Sequence, residues 1–146
     1  MSDRSEESVR RFLKGYNCAQ SAFSVFAPEL GMSERDVVRI AAGFGGGLGR
    51  RGEACGAVTG AIMALSLRYS GEHPEVLSQR QAAYDKAAEV VKAFIDRHGT
   101  CRCRDLLGYN LSDLEELKRA REDRAFQKIC TMYIREAVEL VERLLQ

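Results

Sequence analysis

Apolar positions recur at helical spacing along most of the chain. Val9, Phe12 and Leu13 mark a first helix from Ser5 to Lys14, interrupted at Gly15-Tyr16-Asn17. Asn17 is a favoured N-cap, and Gln20 stands three residues on, where it can answer that cap ahead of Ala22, Phe23, Val25 and Phe26. Pro28 to Met32 reads as a turn, and Ser33-Glu34-Arg35-Asp36 opens a third helix through Val37, Val38, Ile40 and Ala41. Gly43, Gly45, Gly46, Gly47, Gly49 and Gly52 then crowd together, which predicts a loop. From Ala54 to Arg68 a helix follows with Gly56, Gly60 and Ala64 four residues apart, beside Ala57 and Ala61. Those small residues share a face that another backbone can approach, so this helix is expected at the centre.

Pro74 suits the first turn of a long helix ending near Gly99, with Leu77, Tyr84, Ala87, Ala88, Val91, Phe94 and Ile95 as its apolar stripe. Thr100 to Asp105 is irregular. Ser112-Asp113-Leu114-Glu115 offers a further capping box, and the pattern to Leu145 predicts one helix facing inward through Phe126, Ile129, Cys130, Tyr133, Ala137, Leu140, Val141 and Leu144. The expected fold is all-α: one domain over residues 1–146, a compact bundle of about five to six helices with a glycine-rich loop before the central one.

Composition sharpens this reading. The chain has 146 residues, 45% of them hydrophobic, with 22 Lys and Arg against 21 Asp and Glu. That is enough apolar material for one real core. A net charge of +1 without a basic block gives no footprint for nucleic acid. No stretch reaches the roughly 18 apolar residues that membrane insertion requires. The opening residues Met1 to Glu7 are polar and acidic, unlike a secretory signal, so a cytoplasmic location is expected.

Cysteine carries the candidate chemistry: Cys18, Cys55, Cys101, Cys103 and Cys130. An odd number of thiols in a reducing compartment argues against structural disulfides and leaves buried packing, metal ligation or redox chemistry. Cys18 and Cys55 fall at helix starts, where the helix dipole favours a thiolate, and Arg50 and Arg51 precede Cys55. Cys101 and Cys103 form a C-x-C pair beside Arg102 and Arg104, an electropositive loop setting. Cys130, taken alone on an apolar helical face, reads as core.

His98 with Cys101 and Cys103 gives H-x-x-C-x-C. With Cys18, Cys55 or Cys130 this would make four soft ligands compatible with zinc or an iron–sulfur cluster, although the paired C-x-x-C knuckles of a zinc ribbon are missing. A His near a helix C-terminus also complements the dipole. Gly47-Leu48-Gly49-Arg50-Arg51-Gly52 matches G-x-G-x-x-G, but a helix rather than a strand precedes it and no βαβ pattern surrounds it. The loop is better read as letting backbone or a ligand approach Cys55. No Ser-His-Asp order or H-E-x-x-H motif supports hydrolysis.

Four segments taken together, Asn17-Cys18-Ala19-Gln20, the glycine run into Cys55-Gly56-Ala57-Val58-Thr59-Gly60, Cys103-Arg104-Asp105-Leu106-Leu107-Gly108, and Cys130, resemble the C_GCAxxG_C_C family of redox-active proteins. The resemblance extends from about Gly15 over nearly the whole chain. It implies a small helical bacterial or archaeal protein whose four cysteines are Cys18, Cys55, Cys103 and Cys130, with Cys101 as the other choice for the third position, and it moves Cys130 from core to site. The expectation is therefore one site where these thiols converge for thiol–disulfide or electron-transfer chemistry. In a thiol mechanism Cys55 would attack and Cys103 or Cys18 would resolve, making a thiol-based oxidoreductase with an unidentified redox partner. In a cluster mechanism Cys18, Cys55, Cys103 and Cys130 would hold the metal, with Gly47, Gly49 and Gly56 against the bound group. The rival readings are a structural zinc module and a helical interaction protein, the latter forming homo-oligomers through its small-residue face.

Overall fold

The structure, a computed structural model, describes residues 2–146 and is all-α. Eight α-helices are present among the described residues: α1 (Asp3–Leu13), α2 (Cys18–Ser24), α3 (Glu34–Ile40), α4 (Gly56–Ser70), α5 (Val76–His98), α6 (Cys103–Leu107), α7 (Leu114–Glu122) and α8 (Thr131–Leu144). Short 3₁₀ turns at Pro28–Leu30 and Ala41–Phe44 and a π-helical turn at Phe126–Cys130 complete the regular structure.

α4 is the central helix, as its small residues predict. Ala57, Val58, Ala61, Ala64 and Leu65 are buried, and α2, α5 and α8 all pack against it. Glycine sets the distance to α2. A methyl group at Gly60 would lie 2.7 Å from the Ala19 carbonyl oxygen, and one at Gly56 would lie 2.7 Å from the Cys18 Cβ. The main core is completed by Phe23 and Phe26, by Val90 and Phe94 of α5, and by Ile134, Val138 and Val141 of α8. Leu107, Leu111, Leu117, Ala120 and Ala125 form a second, smaller cluster.

Three expectations are corrected. The helices number eight rather than five to six, because the predicted helix from Ser112 to Leu145 is broken in two and a further short helix spans Cys103–Leu107. Asp113 caps α7, its Oδ1 accepting from the Glu115 and Glu116 N–H groups at 2.9 and 3.3 Å. Arg124 then takes a left-handed φ of +56° and ends that helix before the π-helical turn. The long helix begins at Val76 rather than Pro74, and only Val90 and Phe94 of α5 are fully buried; Leu77, Tyr84 and Ile95 stay exposed. Finally, Cys103 does not lie in irregular chain but opens α6.

The glycine-rich loop contains a left-handed turn. Gly46, Gly47, Leu48, Gly49 and Arg50 all have φ between +65° and +67°, a conformation costing roughly 1–2 kcal/mol at each non-glycine residue. Three of the five are glycine for that reason. Gly47 is also buried, and a methyl there would lie 2.5 Å from the Cys103 Cβ and 2.7 Å from the Glu53 backbone nitrogen. Gly47→Ala therefore combines backbone strain with overpacking and is expected to cost about 3 kcal/mol or more in chemical denaturation. Leu48→Gly, at an exposed position with the same φ, should be neutral or slightly stabilising. Equal losses at both positions would contradict this description of the loop.

Candidate functional site

Each of the four family-pattern cysteines is placed by a different local device. Cys18 is the first residue of α2, held by a reciprocal cap. The Asn17 Oδ1 accepts from the Gln20 N–H at 2.8 Å, and the Gln20 Oε1 accepts from the Asn17 N–H at 2.8 Å. The remaining amide groups reach back to α3 and the 3₁₀ turn after it. Gln20 Nε2 donates to the Val38 carbonyl and Asn17 Nδ2 to the Ala42 carbonyl. Cys55 is the N-cap residue of α4, and Ala54 pairs with Arg102 in an isolated antiparallel bridge. In that pairing Cys55 N–H donates to the Cys101 carbonyl at 2.8 Å and Cys103 N–H to the Glu53 carbonyl at 2.6 Å. The bridge thus fixes Cys103 beside the start of α4. Cys130 ends the π-helical turn, a geometry often found at functional positions.

Cys18, Cys55, Cys103 and Cys130 all line one cavity of about 660 Å³. It opens at the seam between the two hydrophobic clusters: Cys55 and Cys18 belong with the main core, Cys103 and Cys130 with the smaller one. Gly47 and Gly49 of the left-handed turn and Gly56 of α4 also line it. Gly47 lies against Cys103 and Gly56 against Cys18, so the loop's close approach is to Cys103 rather than to Cys55 as expected. Cys101 is not part of this lining. It packs against the main core, where its thiol donates to the Val91 carbonyl at 3.7 Å.

All five thiols are free, and their electrostatics reverse part of the sequence reading. Cys55 is 7% exposed, and burial pushes its pKa up to about 11; the Ala57 and Val58 N–H groups at the helix start pull it down only in part. Cys103 is pushed up to about 12, also by burial, with the other thiols opposing a second charge and Arg104 only partly compensating. The expected lowering by a helix start and flanking arginines is thus outweighed. Arg102 is instead engaged with Glu53, and Arg104 with the Arg51 carbonyl. The Cys18 and Cys130 thiols interact within this cavity. That interaction, with burial, raises the Cys18 pKa, and it lowers that of Cys130.

His98 does not join the thiols. Its Nε2 meets the Glu136 Oε2 at 2.5 Å, and its ring packs edge-on to Tyr133. Among the described residues no group of three or more His, Cys, Asp or Glu side chains is arranged to hold a metal ion. Tyr133, Gln127 and Arg121 line the cavity without having been singled out as site residues by the sequence. Helical spacing from Cys130 could have flagged Tyr133 and Gln127, each three residues away. Nothing local marks Arg121.

A family model described as "Putative redox-active protein (C_GCAxxG_C_C)" matches residues 16–144. The chain belongs to this family. The matched span includes all four cavity cysteines. Over 97 residues the chain is 34% identical to an uncharacterized protein of Archaeoglobus fulgidus, covering 62% of this chain and 64% of that protein. No solved structure matches the chain. No helix among the described residues is long and apolar enough to cross a membrane.

The raised thiol pKa values predict an alkaline loss of stability. Below pH 9, the ordinary value, Cys55 is neutral in both folded and unfolded chains. Above it the unfolded chain ionises first, so stability falls as pH rises from about 9 to about 11. A two-unit shift corresponds to about 3 kcal/mol at this buried site. Thermal unfolding followed across this range should show a shallower decline for Cys55→Ala than for the parent protein; parallel curves would contradict the assignment.

Proposed function

We propose that this family member is a thiol–disulfide redox protein whose working dithiol is Cys130 and Cys18. The observation that carries the reading is that Cys18 and Cys130 line the same cavity and interact there. This interaction pairs the two thiols and leaves Cys130 the more readily ionised. Attack therefore falls to Cys130 rather than to Cys55, whose thiol burial keeps protonated.

The Cys130 thiolate attacks one sulfur of a partner disulfide, forming a mixed disulfide and expelling the other half as a thiolate. Cys18 gives up its proton to the departing thiolate or to solvent and attacks the Cys130 sulfur. The second half of the partner then leaves. The protein ends with a Cys18–Cys130 disulfide and the partner as two thiols, so two electrons have moved. Cys55 and Cys103 stay protonated beside the pair.

A second reading starts from the four thiols that line one cavity: they are not arranged to hold a metal ion as they stand, but as soft donors they would suit an iron–sulfur cluster or zinc if drawn together. Cys18, Cys55, Cys103 and Cys130 would then be the ligands, and a cluster would supply one-electron transfer. Purification without oxygen separates the two readings. The dithiol reading expects colourless protein with a rapidly reacting thiol, and mild oxidation yielding an internal disulfide that mass spectrometry maps to Cys18 and Cys130. Cys101→Ser should leave that product unchanged, whereas Cys18→Ala and Cys130→Ala should abolish it. Stoichiometric iron and sulfide with visible absorption would overturn the dithiol reading in favour of the cluster.

A further inference from the structure

The cavity walls contain thiols, apolar side chains, glycine, and the polar groups of Asn17, Gln127 and Tyr133, yet no aspartate or glutamate. In a chain with nearly equal numbers of acidic and basic residues, this wall is one-sided. Its charged members are Arg50 and Arg121, both exposed, and neither forms an ion pair or side-chain hydrogen bond among the described residues. They come from distant segments. Arg121 belongs to the last turn of α7, and Arg50 is the final residue of the left-handed turn. Holding an arginine at φ +66° is unfavourable, and strained backbone of this kind gathers where function requires a side chain in one place. Gly46 leaves room for it: a methyl there would lie 2.8 Å from the Arg50 Cγ.

We infer that the partner disulfide is anionic, carrying a carboxylate or phosphate that Arg50 and Arg121 hold at the cavity rim while its sulfur reaches Cys130. This rests on the dithiol reading above. Guanidinium groups pair with such oxyanions through directed hydrogen bonds, and a cavity with only positive charge concentrates anions at its mouth. The redox step is unchanged: the anionic disulfide is reduced to two thiols as the Cys18–Cys130 disulfide forms.

The test compares two small disulfides on the reduced full chain: dithiobis(nitrobenzoate), with a carboxylate on each ring, and dithiodipyridine, which is neutral. Oxidation rates of Cys130 are measured for the parent protein and for Arg50→Gln/Arg121→Gln. The double variant should slow the anionic probe about ten-fold and leave the neutral probe unchanged, which also shows the fold and dithiol intact. Added salt should slow the anionic probe on the parent protein but not on the variant. Equal effects on both probes, or none, would overturn the inference while leaving the dithiol reading in place. If neither probe oxidises Cys130 in the parent protein, the dithiol reading falls, and this inference with it.

Discussion

The approach of α2 to α4 across Gly56 and Gly60 is the constraint from which the site follows. With no Cβ at either glycine, the backbone of Ala19 can lie directly on the central helix, and a methyl at either position would meet atoms of α2 at 2.7 Å. That contact carries Cys18 against the start of α4, where Cys55 sits as the N-cap residue. Close packing of this kind is rigid, because neighbouring atoms have no free volume into which to relax. Cys18 is consequently held from behind by α4 and from its own helix start by the Asn17–Gln20 cap.

The opposite wall is built with less of the core behind it. Cys103 and Cys130 belong to the smaller cluster around Leu107, Leu111 and Leu117, joined to the central helix by the 54–102 bridge and by the left-handed turn against Cys103. A seam between a large and a small cluster is a natural place for a cavity, since neither fills it alone. The chemistry of the seam is then decided by burial. Helix-start N–H groups and nearby arginines act on these thiols, but removal from water is the larger effect for Cys55 and Cys103. Only Cys130, through its interaction with the Cys18 thiol, moves toward ionisation.

Features with a short-range cause were legible in the sequence. Asn17 and Gln20 announced their cap, and the four-residue spacing of Gly56, Gly60 and Ala64 announced a central helix with a close neighbour. The density of glycine after Ala42 announced a loop. What escaped depends on contacts distant in sequence or on rare backbone states. The break at Arg124 was hidden because the 112–145 segment contains neither Gly nor Pro and keeps helical periodicity throughout. A left-handed arginine leaves no compositional trace. Cys130 read as core because an apolar helical face gives the same pattern whether it meets other side chains or the wall of a cavity; the family's cysteine order, rather than periodicity, pointed to it. Cys55 and Cys18 were placed correctly at helix starts, but the direction of their pKa shifts depends on burial, which helix position alone does not reveal.

The central claim is that Cys18 stabilises a thiolate at Cys130 within a cavity where the other thiols resist ionisation. Following the ionisation of each cysteine by NMR of the Cβ carbons as pH is raised tests it most directly. The account predicts that Cys130 loses its proton before Cys55 and Cys103, and that Cys18→Ala moves the Cys130 transition to higher pH while the fold is retained. A Cys130 that ionises together with the others, or whose transition ignores the loss of Cys18, would contradict it.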